Sequence, residues 1–236
     1  MIIAQFDSKY YKWFSFFISS YLRIYKSHDL LLNTVNLSDF QINQINQINQ
    51  INIFLNNNII EQNKINYSMN NFMAARKPFV LLDAFKRFPE EEYYVLIDTD
   101  SYFNKKIDFE KQFKNFDLGL IYNENTSKIF TKAMSGFLYF RNNLNNKNFI
   151  NLWCKITENT EKLYDIKKYD WFWDQITLYE TLKYYNGKIA KLNEDFYADS
   201  NFSKSSFIYS PHRGIKQNNY IEWTKRLKTN AIFRAS

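Results

Sequence analysis

What this 236-residue chain has little of narrows its chemistry first. It holds one cysteine, Cys154, which excludes an intrachain disulfide framework and any cysteine-based zinc site. Two histidines, His28 and His212, exclude a histidine-rich metal cage. Four glycines and three prolines are far below ordinary usage, which excludes collagen-like chains, glycine-rich linkers and proline-rich stalks. The longest apolar run of the N-terminal region, Trp13 to Leu22, lies between Lys12 and Arg23 and is shorter than the roughly 20 residues needed to cross a bilayer. Asp7 and Lys9 precede it and no small-residue cleavage site follows, so no signal peptide is expected. A cytoplasmic, reducing location is the expectation, with Cys154 a buried thiol inside the apolar stretch from Phe149 to Ile156.

What the chain has in abundance is aromatic side chains, 23 Phe and 18 Tyr, within an ordinary globular apolar content of 45%. Asn, Ile, Lys, Phe and Tyr all have A/T-heavy codons, so propensity arguments resting on these residues alone are discounted. The length suits a single domain over residues 1–236 with a sizeable core. Net charge is +7, spread along the chain and densest at Lys216, Lys225, Arg226, Lys228 and Arg234, in a C-terminal basic helix or tail over 218–236. Without a long basic run, this balance favours an anionic small-molecule substrate; no nucleic acid is expected, and peripheral membrane contact is compatible with it.

Hydrophobic patterning predicts strands at Ile2–Phe6, His28–Val35, Ile51–Ile60, Tyr93–Ile97, Leu118–Tyr122, Phe137–Phe140, Lys188–Leu192 and Phe207–Tyr209. Helices are expected over Tyr10–Tyr25, Phe72–Phe88, Phe149–Thr160, Trp173–Tyr185 and Ile221–Lys228, with Pro78 near a start or a kink. Gln-Ile-Asn recurs four times between Gln41 and Asn52; a period of three fits neither a helix face nor a strand face, so a loop or a loose helix is expected. The continuous apolar run Tyr93–Ile97 suits a central strand covered on both faces. Strands alternating with helices predict a three-layer α/β fold.

Asp98 and Asp100 follow that strand directly, in Ile97-Asp98-Thr99-Asp100-Ser101. Ligands of open α/β sheets bind beyond the carboxyl ends of the strands, and paired acids there call for a neutralising divalent cation. Asp-x-Asp is frequent by chance, so its context matters. Gly136, in Ala133-Met134-Ser135-Gly136-Phe137, marks a close backbone approach in a glycine-poor chain. Trp173-Asp174-Gln175 opens a helix, where Asp174 is either a general base or a helix cap. His212 and Lys216 follow the last strand, in Ser210-Pro211-His212-Arg213-Gly214-Ile215-Lys216, while His28 at a strand mouth reads as structural.

The order of these features resembles the GT-A fold, nucleotide-sugar-dependent glycosyltransferases over roughly residues 1–217. The resemblance implies an α/β single domain with a Rossmann-like, mostly parallel mixed sheet flanked by helices. It implies Mn²⁺ or Mg²⁺ on Asp98 and Asp100, completed by His212, gripping the diphosphate of a nucleoside-diphosphate sugar, with a UDP-sugar the expected donor. Lys216 would meet the diphosphate, although the commoner pattern has wider His–Lys spacing and a Pro-Trp after the lysine. Ser135 and Gly136 would line the sugar and acceptor pocket, in a small-residue turn leading into a strand. Asp174 and Gln175 would sit beside the acceptor, which would be a glycan, lipid-linked or protein hydroxyl. Phe6, Asp7 and Tyr11 would lie along the nucleotide, and Arg76 would reach the phosphates or sugar.

Three other readings compete. Asp98-Thr99-Asp100-Ser101 matches the two-acid hairpin of family B DNA polymerases, but the chain is too short for a palm, fingers and thumb. A nucleotidyltransferase making sugar nucleotides needs a glycine-rich phosphate loop after the first strand, and Phe6 to Trp13 has no glycine. A non-catalytic glycosyltransferase-like module remains a reading of a different class.

Overall fold

The computed structural model describes residues 1–25, 28–61, 68–163, 173–201 and 203–210. The expected helix Ile221–Lys228 and the tail 218–236 lie outside them. In chain order the elements begin β1 (Ile2–Asp7), α1 (Tyr11–Ile24), β2 (Leu30–Val35), α2 (Asp39–Asn46), β3 (Ile53–Asn58), α3 (Met69–Arg87) and β4 (Tyr93–Asp98). They continue as β5 (Tyr102–Phe103), α4 (Phe109–Gln112), β6 (Leu118–Tyr122), α5 (Ile129–Lys132), β7 (Ala133–Arg141), α6 (Leu144–Leu163), α7 (Trp173–Leu182), β8 (Ile189–Leu192), α8 (Glu194–Tyr197) and β9 (Ile208–Tyr209).

Seven strands form one sheet in the order β3-β2-β1-β4-β7-β6-β8, with β5 and β9 paired separately. β3, β2, β1 and β4 run parallel, β7 is antiparallel to both its neighbours, and β8 is parallel to β6. The sheet is therefore mixed and mostly parallel, with the strand that ends in Asp98 at its centre. Alternation explains the unbroken apolar run of β4. Tyr93, Val95 and Ile97 enter one core layer with the aromatic face of α1, and Tyr94 and Leu96 enter the other with α3 and α6. The first layer is built on rings: Phe14 stacks on Phe6 at 4.9 Å, and Tyr25 meets Phe103 edge-on at 5.2 Å. Cys154 is buried in the second layer, where burial pushes its thiol up to about 12.

Of three local expectations, the loop or loose helix of the Gln-Ile-Asn tract is sharpened, and a helix start at Pro78 and a turn at Ala133–Gly136 are corrected. The Gln-Ile-Asn tract is in part a helix: Ser38 Oγ accepts the Gln41 N–H at 3.3 Å and Gln41 Oε1 accepts the Ser38 N–H at 3.0 Å, a reciprocal cap that starts α2. Ile42, Ile45, Ile48 and Ile51 all reach the first core layer, because spacing by three keeps neighbours on one side while the chain turns. Pro78 lies inside α3, ten positions after the Ser68 cap, so the Ala74 carbonyl lacks its i+4 N–H donor. Ala133–Gly136 belongs to β7, whose pairing with β6 shifts register at Leu120/Ile121, and is not a turn.

Candidate active site

One row of polar residues crosses the sheet under α3. Asn56, Asn33, Gln5 and Asp98 are register partners on β3, β2, β1 and β4. They share the face that is apolar one step earlier, at Phe54, Leu31, Ile3 and Leu96. Such a switch at the carboxyl ends of parallel strands is where ligands enter α/β sheets.

At its inner end lies a cleft lined by Gln5, Phe6, Asp7, Tyr10 and Asp98–Asp100 on the strand side, by Asn70, Met73, Ala74 and Lys77 of α3, and by Asp174 and Gln175 of α7. Its volume is about 120 Å³, room for a sugar ring or a phosphate, and it is partly open to solvent. Gln5 is 7% exposed; its amide N–H donates to the Met73 carbonyl, and its Oε1 has no donor among the described residues.

Lys77 organises the floor. Its Nζ lies 2.9 Å from Asp98 Oδ1 and 2.8 Å from Asp174 Oδ2, and donates to Ser135 Oγ at 3.0 Å. Ser135 Oγ in turn donates to Asp174 Oδ2, and Asp174 Oδ1 accepts the Gln175 N–H at 2.9 Å. Burial pulls the Lys77 ammonium down, but Asp174 and Asp98 outweigh it and hold the group above the ordinary lysine range. Asp98 is pushed up by burial and by Asp100 and Asp174, against the pull of Lys77. Gly136 gives Asp98 room here: a Cβ on it would stand 3.2 Å from Asp98 Oδ2, so the carboxylate would have to shift by a few tenths of an ångström.

The structure brings together most of the residues singled out in the sequence. Phe6, Asp7, Asp98, Asp100, Asp174 and Gln175 line the cleft, and Ser135 and Gly136 adjoin it through Asp174 and Asp98. Asp7 also caps the turn after β1, accepting the Tyr10 N–H at 3.1 Å. Two residues fall elsewhere. Tyr11 donates to Gln44 Oε1 at 2.7 Å, and Tyr10 lines the cleft in its place. Arg76, expected at the phosphates or sugar, lines a second cavity on the other flank of α3 and not the cleft beside Asp98. His212 and Lys216 lie outside the described residues. His28, expected to be structural, has its Nε2 3.2 Å from the Tyr93 hydroxyl, and burial lowers its pKa.

Sequence reading missed Lys77, although a signal was present. Met73, Lys77, Leu81 and Ala84 share the buried face of α3, and a lysine inside an apolar stripe requires an acid partner. Among the described residues no group of three or more His, Cys, Asp or Glu is arranged to hold a metal ion, and no helix is long and apolar enough to cross a membrane.

No protein-family model matches the chain, and no curated protein is significantly similar to it in sequence. Its backbone is similar to those of solved glycosyltransferases. One involved in the glycosylation of the major capsid of PBCV-1 superposes with a TM-score of 0.58 at 11% identity, over 95% of this chain and 98% of that one. An active-site mutant of LgtC gives 0.58 at 11% identity, over 97% and 95% of the two chains. The glycosyltransferase GlyE of Streptococcus pneumoniae TIGR4 gives 0.52 at 14% identity, with 82% of this chain covering 46% of the longer one. Identities this low speak to backbone architecture, and with the central parallel strands and the cleft at their carboxyl ends they define it: the chain has the GT-A glycosyltransferase fold.

Proposed function

We propose that the chain is a metal-dependent glycosyltransferase, moving a hexosyl group from a nucleoside-diphosphate donor, expected to be a UDP-sugar, to a hydroxyl of a glycan, lipid-linked or protein acceptor. The observation that carries this reading is the convergence of Lys77, Asp98, Asp100, Ser135 and Asp174 at the end of the central strand of a GT-A fold.

The donor set fits a hard cation. Asp98 and Asp100 offer carboxylate oxygens, and Mg²⁺ is commonly held by one or two carboxylates with substrate phosphates and water filling the remaining positions. We assign His212 as a further ligand and Lys216 to the diphosphate. When bound, the cation would neutralise the charge that develops on the departing nucleoside diphosphate.

The chain's own residues do the rest. Lys77 holds Asp98 by Oδ1, and the bare Gly136 leaves room on the Oδ2 side. The Gln5 amide oxygen, buried and without a donor among the described residues, would accept from an N–H or hydroxyl of a ligand in the cleft. Phe6, Asp7 and Tyr10 line the side beyond β1, where the nucleoside would lie. Asp174 already accepts from an ammonium, a hydroxyl and a backbone N–H. In place of the two expected roles, general base or helix cap, we therefore assign it positioning: it fixes Lys77 and Ser135, and Gln175 beside it orients sugar and acceptor.

The test is a thermal-shift screen of UDP, GDP, CDP and their common sugars, each with and without Mn²⁺. A ligand at 100-fold its Kd adds about 2.7 kcal/mol of apparent stability. A shift with one nucleotide and metal together is expected, and Asp98→Asn with Asp100→Asn should abolish both that shift and turnover in a folded protein. No shift with any nucleotide would move the reading to a non-catalytic module. Asp174→Asn should lower kcat and weaken the hold on Lys77, and both limbs of the pH profile should remain in the residual activity, shifted as Asp98 and Lys77 lose its charge. Loss of one limb of that profile would restore Asp174 as a general base.

A further inference from the structure

The second cavity, on the outer flank of α3, belongs to no step described above. It offers about 350 Å³, partly open to solvent, between α3 and the strands β2 and β3, of which β3 is the sheet edge. Its sheet side carries three amides on one face: Asn33, its register partner Asn56, and Asn58 two residues on. Asn33 Oδ1 accepts from Asn56 Nδ2 at 3.2 Å and from Asn58 Nδ2 at 3.4 Å. That leaves the side-chain oxygens of Asn56 and Asn58 without a donor among the described residues.

The helix side carries Arg76. Its guanidinium lies over the ring of Phe79 at 4.6 Å and that of Phe72 at 5.9 Å. It is exposed and makes no hydrogen bond or ion pair among the described residues, so its five N–H donors are available. Asp83, the acid of the cavity, is paired with Arg87 at 3.1 Å. Val35 and Ile60 supply apolar wall.

The rim is fixed in place. Asn36, at a φ of 56°, donates by Nδ2 to the Ile60 carbonyl at 2.8 Å and accepts the Ile60 N–H at 2.7 Å. Asn57 Oδ1 accepts both the Thr34 hydroxyl at 3.0 Å and the Leu37 N–H at 3.2 Å. The chain leaving β3 is thereby clamped to the chain leaving β2, which keeps the cavity from collapsing.

We propose that this cavity is a second binding site, for a saccharide that bears an acidic group. Arg76 would take the carboxylate by a bidentate pair, which the planar fork favours. The amides of Asn56 and Asn58 would meet ring hydroxyls, and the apolar face of the pyranose would lie on Val35, Ile60 and the phenylalanine edges. The size is that of a small-molecule site. The site does not depend on the transfer reaction proposed for the inner cleft, because the two cavities share no lining residue.

The test titrates the full chain with glucuronic acid, glucose and inorganic phosphate by calorimetry and saturation-transfer NMR. Glucuronic acid should bind more tightly than glucose or phosphate. Arg76→Ala should weaken it at least about tenfold, the loss expected for a charge-assisted pair. Arg76→Lys should fall between, and Asn58→Ala should weaken all sugars alike. Asp98→Asn with Asp100→Asn should leave glucuronic acid binding in place. Binding that survives Arg76→Ala, or is lost in the Asp98 and Asp100 variant instead, would overturn the proposal. Equal affinity for phosphate alone would reduce the site to an anion hole, and no binding of either sugar would remove it.

Discussion

Lys77 and Arg76 are neighbours in the chain and opposites in the fold. The side chain of Lys77 is 7% exposed, with its ammonium between two carboxylates. The guanidinium of Arg76 is exposed on two aromatic rings. One step along an α-helix turns a side chain by about 100°, enough to move a cation from one flank of α3 to the other. A buried ammonium persists only where acids compensate it, so the positions of Lys77, Asp98 and Asp174 are fixed by one another. That suits a centre which must be preorganised before substrate arrives. An exposed cation backed by rings keeps its donors for something that comes from solution.

Breaking the buried side should have the largest effect. Lys77→Met leaves Asp98 and Asp174 confronting each other, and should lower the unfolding free energy by about 3–5 kcal/mol in urea while reducing sugar transfer to background. A loss below about 1 kcal/mol would mean the network behaves as a surface ion pair, and the contrast with Arg76 would fail. Adding Asp174→Asn should return part of the lost stability without restoring transfer. Together with the single variant Asp174→Asn, that recovery closes a double-mutant cycle that gives the coupling between the two groups.

Gly136→Ala probes the same centre more gently. The new methyl would sit 3.2 Å from Asp98 Oδ2, so the carboxylate must give by a few tenths of an ångström while tethered to Lys77. Misplacement on that scale should cost about tenfold in turnover, with stability down by about 1 kcal/mol. Unchanged turnover would show that the Asp98 carboxylate moves freely, and that Lys77 does not fix it.

Much of this architecture was legible because it is written in local patterns. The alternation buried in Tyr93–Ile97, the acids directly after it and the aromatic length of Tyr10–Tyr25 led to β4, Asp98, Asp100 and α1. The repeat left both a loop and a loose helix open because four isoleucines spaced by three do not stay in one helix: α2 ends at Asn46, and the chain beyond it delivers Ile48 and Ile51 to the same core. Lys77 was hidden for a different reason. Its acid partners lie 21 and 97 positions further on, at Asp98 and Asp174, and no local pattern announces such a meeting. Arg76, singled out for the phosphates or sugar, stands one residue from Lys77, and on a helix that step leads to the other cavity.

Arg76 sets the lower end of the scale. Arg76→Gln removes a cation from the rings of Phe72 and Phe79 but leaves no buried charge uncompensated, since no acid pairs with it among the described residues. The expected cost is about 0.5–1 kcal/mol in urea denaturation, the range of an exposed cation–π contact. Because this interaction is electrostatic and solvent-facing, the difference from the unsubstituted chain should shrink as salt is raised. The loss in Lys77→Met should keep more of its size in the same salt series, since the Lys77 ammonium and Asp174 are buried even though Asp98 is partly exposed. If the two losses fell in parallel with salt, both cations would be sampling solvent, and the division of α3 into a locked flank and an open one would not hold.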